Sequence, residues 1–386
     1  MRWPMKNLGE IVTFRGGGTP RKDNPSYWSD EIPWATVKDF KGVRLSETQD
    51  CISANGLESS SANLIPAGHV IIPTRMALGK AAINSIDLAI NQDLKALIPQ
   101  IPLDASYLLH SMLGLADVIE RNGSGATVKG ITQAKLAQLQ IPLPPLPEQK
   151  RIAAILDAAD ALRAKRRESI TQLDTLLQST FLDMFGDPVT NPKGWEVCRV
   201  GEVVHSAKDG PHVSPDYAES GIPFLSTRHI KPGEVIWEDL KYIDQNEANR
   251  QWKKCKPETG DILYTKGGTT GLAARVTTAE PFAIWVHIAL LKPITEKVHP
   301  AWIEAMLNSD YCYTQSQRYT HGIANRDLGL KRMVKIKMYL PPLTLQHQFA
   351  TIVESVEKQK SRLRAHLSEL DTLFASLQSR AFNGEL

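Results

Sequence analysis

Phe14–Gly18 reads FRGGG, which fits the F-x-G-x-G loop that cradles S-adenosylmethionine in methyltransferases. Asn24–Tyr27 reads NPSY, close to the N-P-P-Y motif that holds an exocyclic amino group. A complete site of that kind would move a methyl group onto a base. It needs a glycine loop that follows a strand and opens a helix, with an acidic ribose ligand about twenty residues on. Here Pro20 and charged residues follow the glycines, and Ser26 stands at the motif's second proline. The two motifs also lie too close together to form opposite walls of one pocket. They do not complete a methyltransferase.

Other chemistries fail on spacing. TKGGTTG, from Thr265, is not G-x-x-x-x-G-K-[ST], and the sequence contains no H-E-x-x-H, no G-x-S-x-G and no paired carboxylate followed by E-x-K. His205, His212, His229, His287 and His321 are scattered, and Cys51, Cys198, Cys255 and Cys312 form no metal-ligand spacing. The cysteines read as buried thiols of a reduced compartment, with no catalytic residue and no metal site expected.

The remaining chemistry is that of binding. RGGGTPRKDN, VKDFKG, TRMALGK and NGSGATVKG in the first half, and SAKDGPH, STRHIKPG, TKGGTTG and HGIANRDLGLKRMVK in the second, join glycine to cationic and amide side chains. Glycine lets backbone N–H groups approach phosphates, and Arg and Lys neutralise them. Arg to guanine and Asn or Gln to adenine are the usual base-edge contacts. The candidates are Arg15, Thr19, Arg21, Lys22, Lys38, Lys41, Arg75, Lys80 and Lys129, then Lys208, His212, Arg228, His229, Lys266, Thr269, Asn325 and Arg326. Net charge is only +3, so a basic surface depends on placement rather than on the total.

The elements that carry these loops are written twice. A shift of 197 residues lays LPPLPEQKRIAAIL (from Leu143) on LPPLTLQHQFATIV (from Leu340), and ITQLDTLLQS (from Ile170) on LSELDTLFAS (from Leu367). At nearly the same offset GSGATVKGIT meets THGIANRDLG, WPMKNLGEIV meets WEVCRVGEVV, EIPWATVKDF meets GIPFLSTRHI, and AGHVII meets TGDILY. Gly16–Thr19 then faces Lys208–Pro211, Lys38 and Asp39 face Arg228 and His229, and Arg75 faces Gly267. Such a long period means duplicated domains rather than a solenoid. The plan is 1–142 globular, 143–187 helical, 188–339 globular and 340–386 helical.

Ile152, Ile155, Ala159, Leu162, Leu173, Leu176 and Phe181, and later Phe349, Ile352, Val356, Leu363, Leu367, Leu370, Phe374 and Leu377, recur at helical spacing and predict a heptad-like seam. Pro144, Pro145, Pro147, Pro341 and Pro342 mark the starts, and Gly186 and Gly384 the stops. Some 34 residues of helix would make a rod about 50 Å long. A single apolar seam of that length needs a partner, and the other copy is the obvious one.

GHVIIP, KALIP, GDILYT and AIWVHIALLKP predict strands, while YLLHSMLGLADVIERN and AWIEAMLNSDYCYTQSQ predict helices. The fold class is α+β, with a small curved sheet in each globular part. With 42% hydrophobic and 23% charged residues, no apolar signal-peptide core at the start and no run of membrane-spanning length, the chain reads as soluble and cytoplasmic.

GGGTP…NPSYW…IPWATVKD, NGSGATVKGI, the LPPLPEQKRIAAIL hinge-helix and LDTL together resemble the DNA-specificity subunit of type I restriction–modification systems. The resemblance covers essentially the whole chain. The second hinge departs from the family's acidic-Gln start, reading Leu345–Gln346 where the first reads Glu148–Gln149. The resemblance implies two target recognition domains reading a bipartite, asymmetric site on double-stranded DNA, separated by a spacer in which the two repeated helices pack as an antiparallel coiled coil. Major-groove half-sites one turn apart are separated by roughly 34 Å, which a rod of that length spans.

It implies no chemistry in this chain. Two modification subunits would supply S-adenosylmethionine-dependent methylation of adenine, and restriction subunits ATP- and Mg-dependent translocation and cleavage. Glu148, Gln149, Arg151, Gln346 and Gln348 are the expected partner-docking residues. Two alternatives remain at this level: a standalone DNA adenine methyltransferase, and a coiled-coil adaptor without a DNA role. Methyl transfer by the purified chain would mark the first; indifference to charge removal in the glycine loops would mark the second.

Overall fold

Proline and glycine set the ends of both long helices. The computed structural model describes residues 3–125, 128–322 and 326–386. The central helix runs Leu146–Phe185 and the C-terminal helix Leu343–Asn383, 40 and 41 residues, each about 60 Å long and longer than the periodicity alone suggests. Gly186 and Gly384 take φ of +81° and +74°, the left-handed conformation that ends a helix without a Cβ clash.

The chain packs as two compact units, Met1–Glu168 with Arg364–Leu386, and Ser169–Leu363. Each unit therefore holds one globular module and part of both long helices. In the first, Ile152, Ala153 and Leu156 bury against Ala381 and Tyr107. In the second, Phe181 and Phe185 meet Phe349 edge-on, with ring centroids 5.7 and 5.4 Å apart. Burying a side chain of this size stabilises by about 1.5–3 kcal/mol. Within each unit the two helix segments run antiparallel: Arg151 and Arg163 lie against Leu386 and Asp371, and Asp174 and Phe181 against Lys360 and Phe349.

The expected apolar seam is interrupted mid-helix. Leu162 and Leu176 are 55% and 49% exposed, and ion pairs stand nearby. Arg163 holds Asp371 at 2.7 Å in the first unit, and Lys360 holds Asp174 at 2.7 Å in the second. The 197-residue shift maps one pair onto the other. The aspartate of each LDTL thus meets a cation supplied by the other repeat, which accounts for the repeated phrase.

Each module has two sheets of four or five strands rather than one, with two-stranded pairs beside them. In the first, the strand order is Val12–Gly16, Leu94–Pro99, Val70–Pro73, Ala82–Asn84, Arg44–Leu45; a second sheet orders Asp50–Ile52, Ile32–Ala35, Leu88–Ile90, Leu64–Ile65. The second module repeats this with Val204–Asp209, Ile288–Pro293, Ile262–Thr265, Ala273–Arg275, and with Tyr217–Ala218, Lys241–Ile243, Ile222–Leu225, Ala283–Ile284. Both second sheets contain one parallel pair, Ile32–Ala35 with Leu88–Ile90 and Ile222–Leu225 with Ala283–Ile284.

Three predicted elements break in two. AIWVHIALLKP turns at Trp285, whose C=O accepts from Ile288 N. The helix in YLLHSMLGLADVIERN breaks at Leu115 into Ala105–Gly114 and Ala116–Asn122. AWIEAMLNSDYCYTQSQ breaks at Ser309, whose hydroxyl caps Asp310–Tyr319 by accepting from Cys312 N.

Candidate nucleic-acid interface

The candidate loops hang from a main-chain clasp built twice. In the first module the chain leaves strand Val70–Pro73 at Thr74, whose N–H donates to Asp93 O at 2.7 Å. Arg75 bridges Gly130, Gly130 bridges Ser124, and Met76 N donates to Lys129 O at 3.1 Å. In the second, Lys266 N donates to His287 O at 2.8 Å, Gly267 bridges Asp327, Asp327 bridges His321, and Gly268 N donates to Arg326 O at 2.9 Å. Arg75 and Gly267 are equivalent, as the repeat requires. The clasp brings three separated stretches of each module to one place.

The side chains on the two clasps differ. Arg75, 62% exposed, lies 3.6 Å from Asp93, which is only 11% exposed. Asn91 orients that carboxylate: its Oδ1 accepts from Asp93 N at 3.1 Å, and its Nδ2 donates to Asp93 Oδ2 at 3.4 Å. The second clasp has Lys266 at the position of Thr74, and its ammonium is 7% exposed, 3.3 Å from Asp209 and 3.5 Å from Asp327. Asp209 also takes Lys254 at 2.7 Å. Burial pushes the Asp209 carboxyl up, but Lys254 and Lys266 outweigh it, so its pKa lies below the ordinary carboxylate value. A Cβ at Gly267 would stand 2.0 Å from His287 Nδ1, so a larger residue here would displace the exposed His287 ring.

The glycines of FRGGG serve packing. A Cβ on Gly17 would meet Ile90 O at 1.9 Å, and one on Gly210 would meet Ile284 O at 2.0 Å, so both repeats need close approach at this turn. Asn24 caps the short turn Pro25–Tyr27, its Oδ1 accepting from Ser26 N at 3.1 Å and Ser26 Oγ at 2.8 Å. That oxygen is already engaged. The strand register moves one sequence match by a residue: Arg15 pairs with Ala96 and Lys208 with Leu290, so Arg15 rather than Gly16 is the counterpart of Lys208.

Arg15, Arg21, Lys22, Lys38, Lys41, Lys80 and Lys129 are exposed in the first module, and Lys208, His212, Arg228, Thr269 and Arg326 in the second. Some are engaged: Arg21 with Asp23 at 2.8 Å, Lys41 with Glu47 at 3.5 Å, His212 with Asp209 at 3.5 Å, Arg228 with Asp239 O, and Arg326 with Gln317 Oε1. Thr19 is half-buried and donates to Gln92 Oε1. Asn325 lies outside the described residues.

Four candidates expected at the surface are buried. Lys266 is held by its two aspartates. His229 is 3% exposed and closes a short turn, its Nδ1 accepting from Ser226 N at 2.9 Å; burial holds its pKa below the usual imidazole value. Asp39 does the same in the first module, its Oδ2 accepting from Thr36 N at 2.7 Å. Gln149 and Gln346 are 2% and 0% exposed, not docking residues on a surface. Gln149 Oε1 accepts from Asp104 N at 2.9 Å and its Nε2 donates to Pro144 O at 2.9 Å. Gln346 Oε1 accepts from His299 N at 2.8 Å and its Nε2 donates to Pro341 O at 2.9 Å.

Of the other docking candidates, Gln348 and Arg151 are exposed; Glu148 is half-buried and paired with Arg151 at 2.7 Å. Asp93, Asp209, Asp327 and Lys254 escaped the sequence reading. The only signal was an acidic residue within two of the glycine loops, Asp209 in SAKDGPH and Asp327 in HGIANRDLGLKRMVK, and nothing pointed to Asp93 or Lys254. Cys198, Cys255 and Cys312 are buried, with burial pushing their thiols up to about 11, 12 and 12, while Cys51 is only half-buried.

A family model described as the type I restriction modification DNA specificity domain matches residues 2–172 and 192–370, once over each repeat. The chain belongs to the type I restriction–modification specificity family. It is 26% identical to the MjaIX specificity subunit of Methanocaldococcus jannaschii, over 75% of this chain and 72% of that protein. It is also 26% identical to the EcoBI specificity subunit of Escherichia coli, over 89% of this chain and 80% of that one.

The specificity-subunit fold is seen in the S subunit of the M. genitalium type I restriction–modification system. That structure matches at a TM-score of 0.60 and 14% identity, covering 99% of this chain and 96% of that one. No described helix is long and apolar enough to cross a membrane.

Proposed function

We propose that this specificity subunit reads a bipartite, asymmetric site on double-stranded DNA, one half-site per module, with the length of the two long helices setting the unread interval. The chain is the recognition component of a type I restriction–modification system, with two tandem DNA-recognition domains, rather than its catalytic one. Subunits of this family assemble with methyltransferase and restriction subunits. In this reading two modification subunits dock on the helices, exposed Gln348 and Arg151 contribute to that surface, and the complex works in the cytoplasm. The chain takes no cofactor of its own; S-adenosylmethionine, ATP and Mg would serve the partner subunits.

One observation carries the reading. The same main-chain clasp is made twice and furnished with different side chains, Arg75, Met76 and Asp93 against Gly267, Gly268 and His287. Two sequence readers on one scaffold require that arrangement, because base contacts specify while the frame only positions. Exchanging residues 1–142 for those of a relative, in cells that also make the modification partner, tests it. Mapping of methylated adenine should show one half-site replaced and the other kept. Change in both, or in neither, would refute the assignment.

A further inference from the structure

Met76 sits in a conformation that its side chain disfavours. Its φ is +66°, and Arg75 O accepts from Ala77 N at 2.8 Å across it, a tight three-residue turn. A left-handed conformation is unfavourable for a residue with a Cβ. The other described non-glycine residues with positive φ are Asn191 and Asp239, types that tolerate it. The equivalent position in the second module is Gly268, at φ +68° and with open space where a Cβ would stand. Glycine would therefore satisfy the backbone at Met76 as well. Nor does the side chain bury itself, being 61% exposed. Strain of this kind persists where function demands it.

The neighbours indicate the occupant. Exposed Arg75, Lys80 and Lys129 surround this turn in sequence and hydrogen bonding, so its partner is a polyanion. An unbranched thioether among cations has no use against phosphate, but it fits between or against base faces. Resting on the two-module reading above, we propose that Met76 is an apolar wedge that opens a base step in the half-site read by the first module. The half-site read by the second, where Gly268 stands, is left stacked. Inserted apolar side chains, methionine among them, unstack DNA in this way.

The test uses the complete complex with its modification partner and duplexes carrying 2-aminopurine at steps other than the methylated adenines. Wild-type complex should brighten a reporter in the first half-site and not in the second. Met76→Gly should abolish that brightening and weaken specific binding by about tenfold. Because glycine suits this φ, the variant should melt no lower than wild type, which separates lost function from lost folding. Gly268→Met should brighten the second half-site. A Met76→Gly complex as bright and as tight as wild type would overturn the wedge while leaving the two-module reading intact. A wild-type complex with no sequence preference would remove both.

Discussion

The two clasps place their cations oppositely. The first module holds Arg75 out to solvent, steered by one carboxylate; the second draws Lys266 inside, between two. The same backbone path therefore carries an outward cation in one copy and an internal brace in the other. A cation in a glycine loop is not a DNA contact by virtue of its position in sequence. Burial and partner geometry decide.

The comparison can be broken most directly at the brace. Lys266→Met should destabilise the second unit by about 1.5–3 kcal/mol, because it removes the buried cation shared by Asp209 and Asp327 and leaves them Lys254 and Arg332 alone. A denaturant titration resolving the two units checks this, and an unchanged midpoint would show that Lys266 is not a brace. Arg75→Ala should leave stability within about 0.5 kcal/mol, as for most surface changes. It should weaken DNA binding by about 1–3 kcal/mol if Arg75 holds a base edge, with discrimination lost only in the first half-site. Equal weakening on all sequences, with a flatter salt dependence, would make it a phosphate contact instead.

A smaller, pH-dependent effect sharpens the contrast. Glu304 in the second unit is pushed up to about 7 by burial, opposed by nearby Arg275, with Glu357 raising it further and Lys360 lowering it. Its folded pKa lies above the ordinary glutamate value of 4.5, so its contribution to stability is complete below that value and is lost as pH rises through about 7. Glu304→Gln, which keeps an acceptor for Arg275 N, should flatten the stability profile of the second unit between those limits. A profile unchanged by the substitution would place the titration elsewhere.

The duplication, the helix ends and the fold class were legible because they rest on local signals. Proline and glycine punctuate the helices, and LDTL repeats without a gap. Pairing between distant residues was not legible. Asp209, Lys266 and Asp327 meet only after the sheet and the clasp have formed, so Lys266 read as a surface cation. The second sheet of each module also escaped, because strands of two to four residues carry too few alternations to show a period. The one-residue shift at Lys208 follows from an irregular register between Val204 and Ser206. The apolar seam was overdrawn, since leucine spacing does not say that Arg163, Asp174, Lys360 and Asp371 will occupy the middle of the pairing.

Gln149 and Gln346 join each long helix to its module through peptide groups alone: the amide nitrogen that opens the next helix on one side, a proline carbonyl on the other. Every residue type with an N–H could fill the first role, and the two copies indeed use Asp104 and His299 there. These two amide contacts are indifferent to side-chain identity, unlike the contacts of Asp157 with Ser106 and His110 and of Phe185 with Trp302 beside them. A module of different sequence can therefore keep this amide clasp, but it must also supply side chains that meet Asp157 or Phe185 on its long helix, as Ser106, His110 and Trp302 do here.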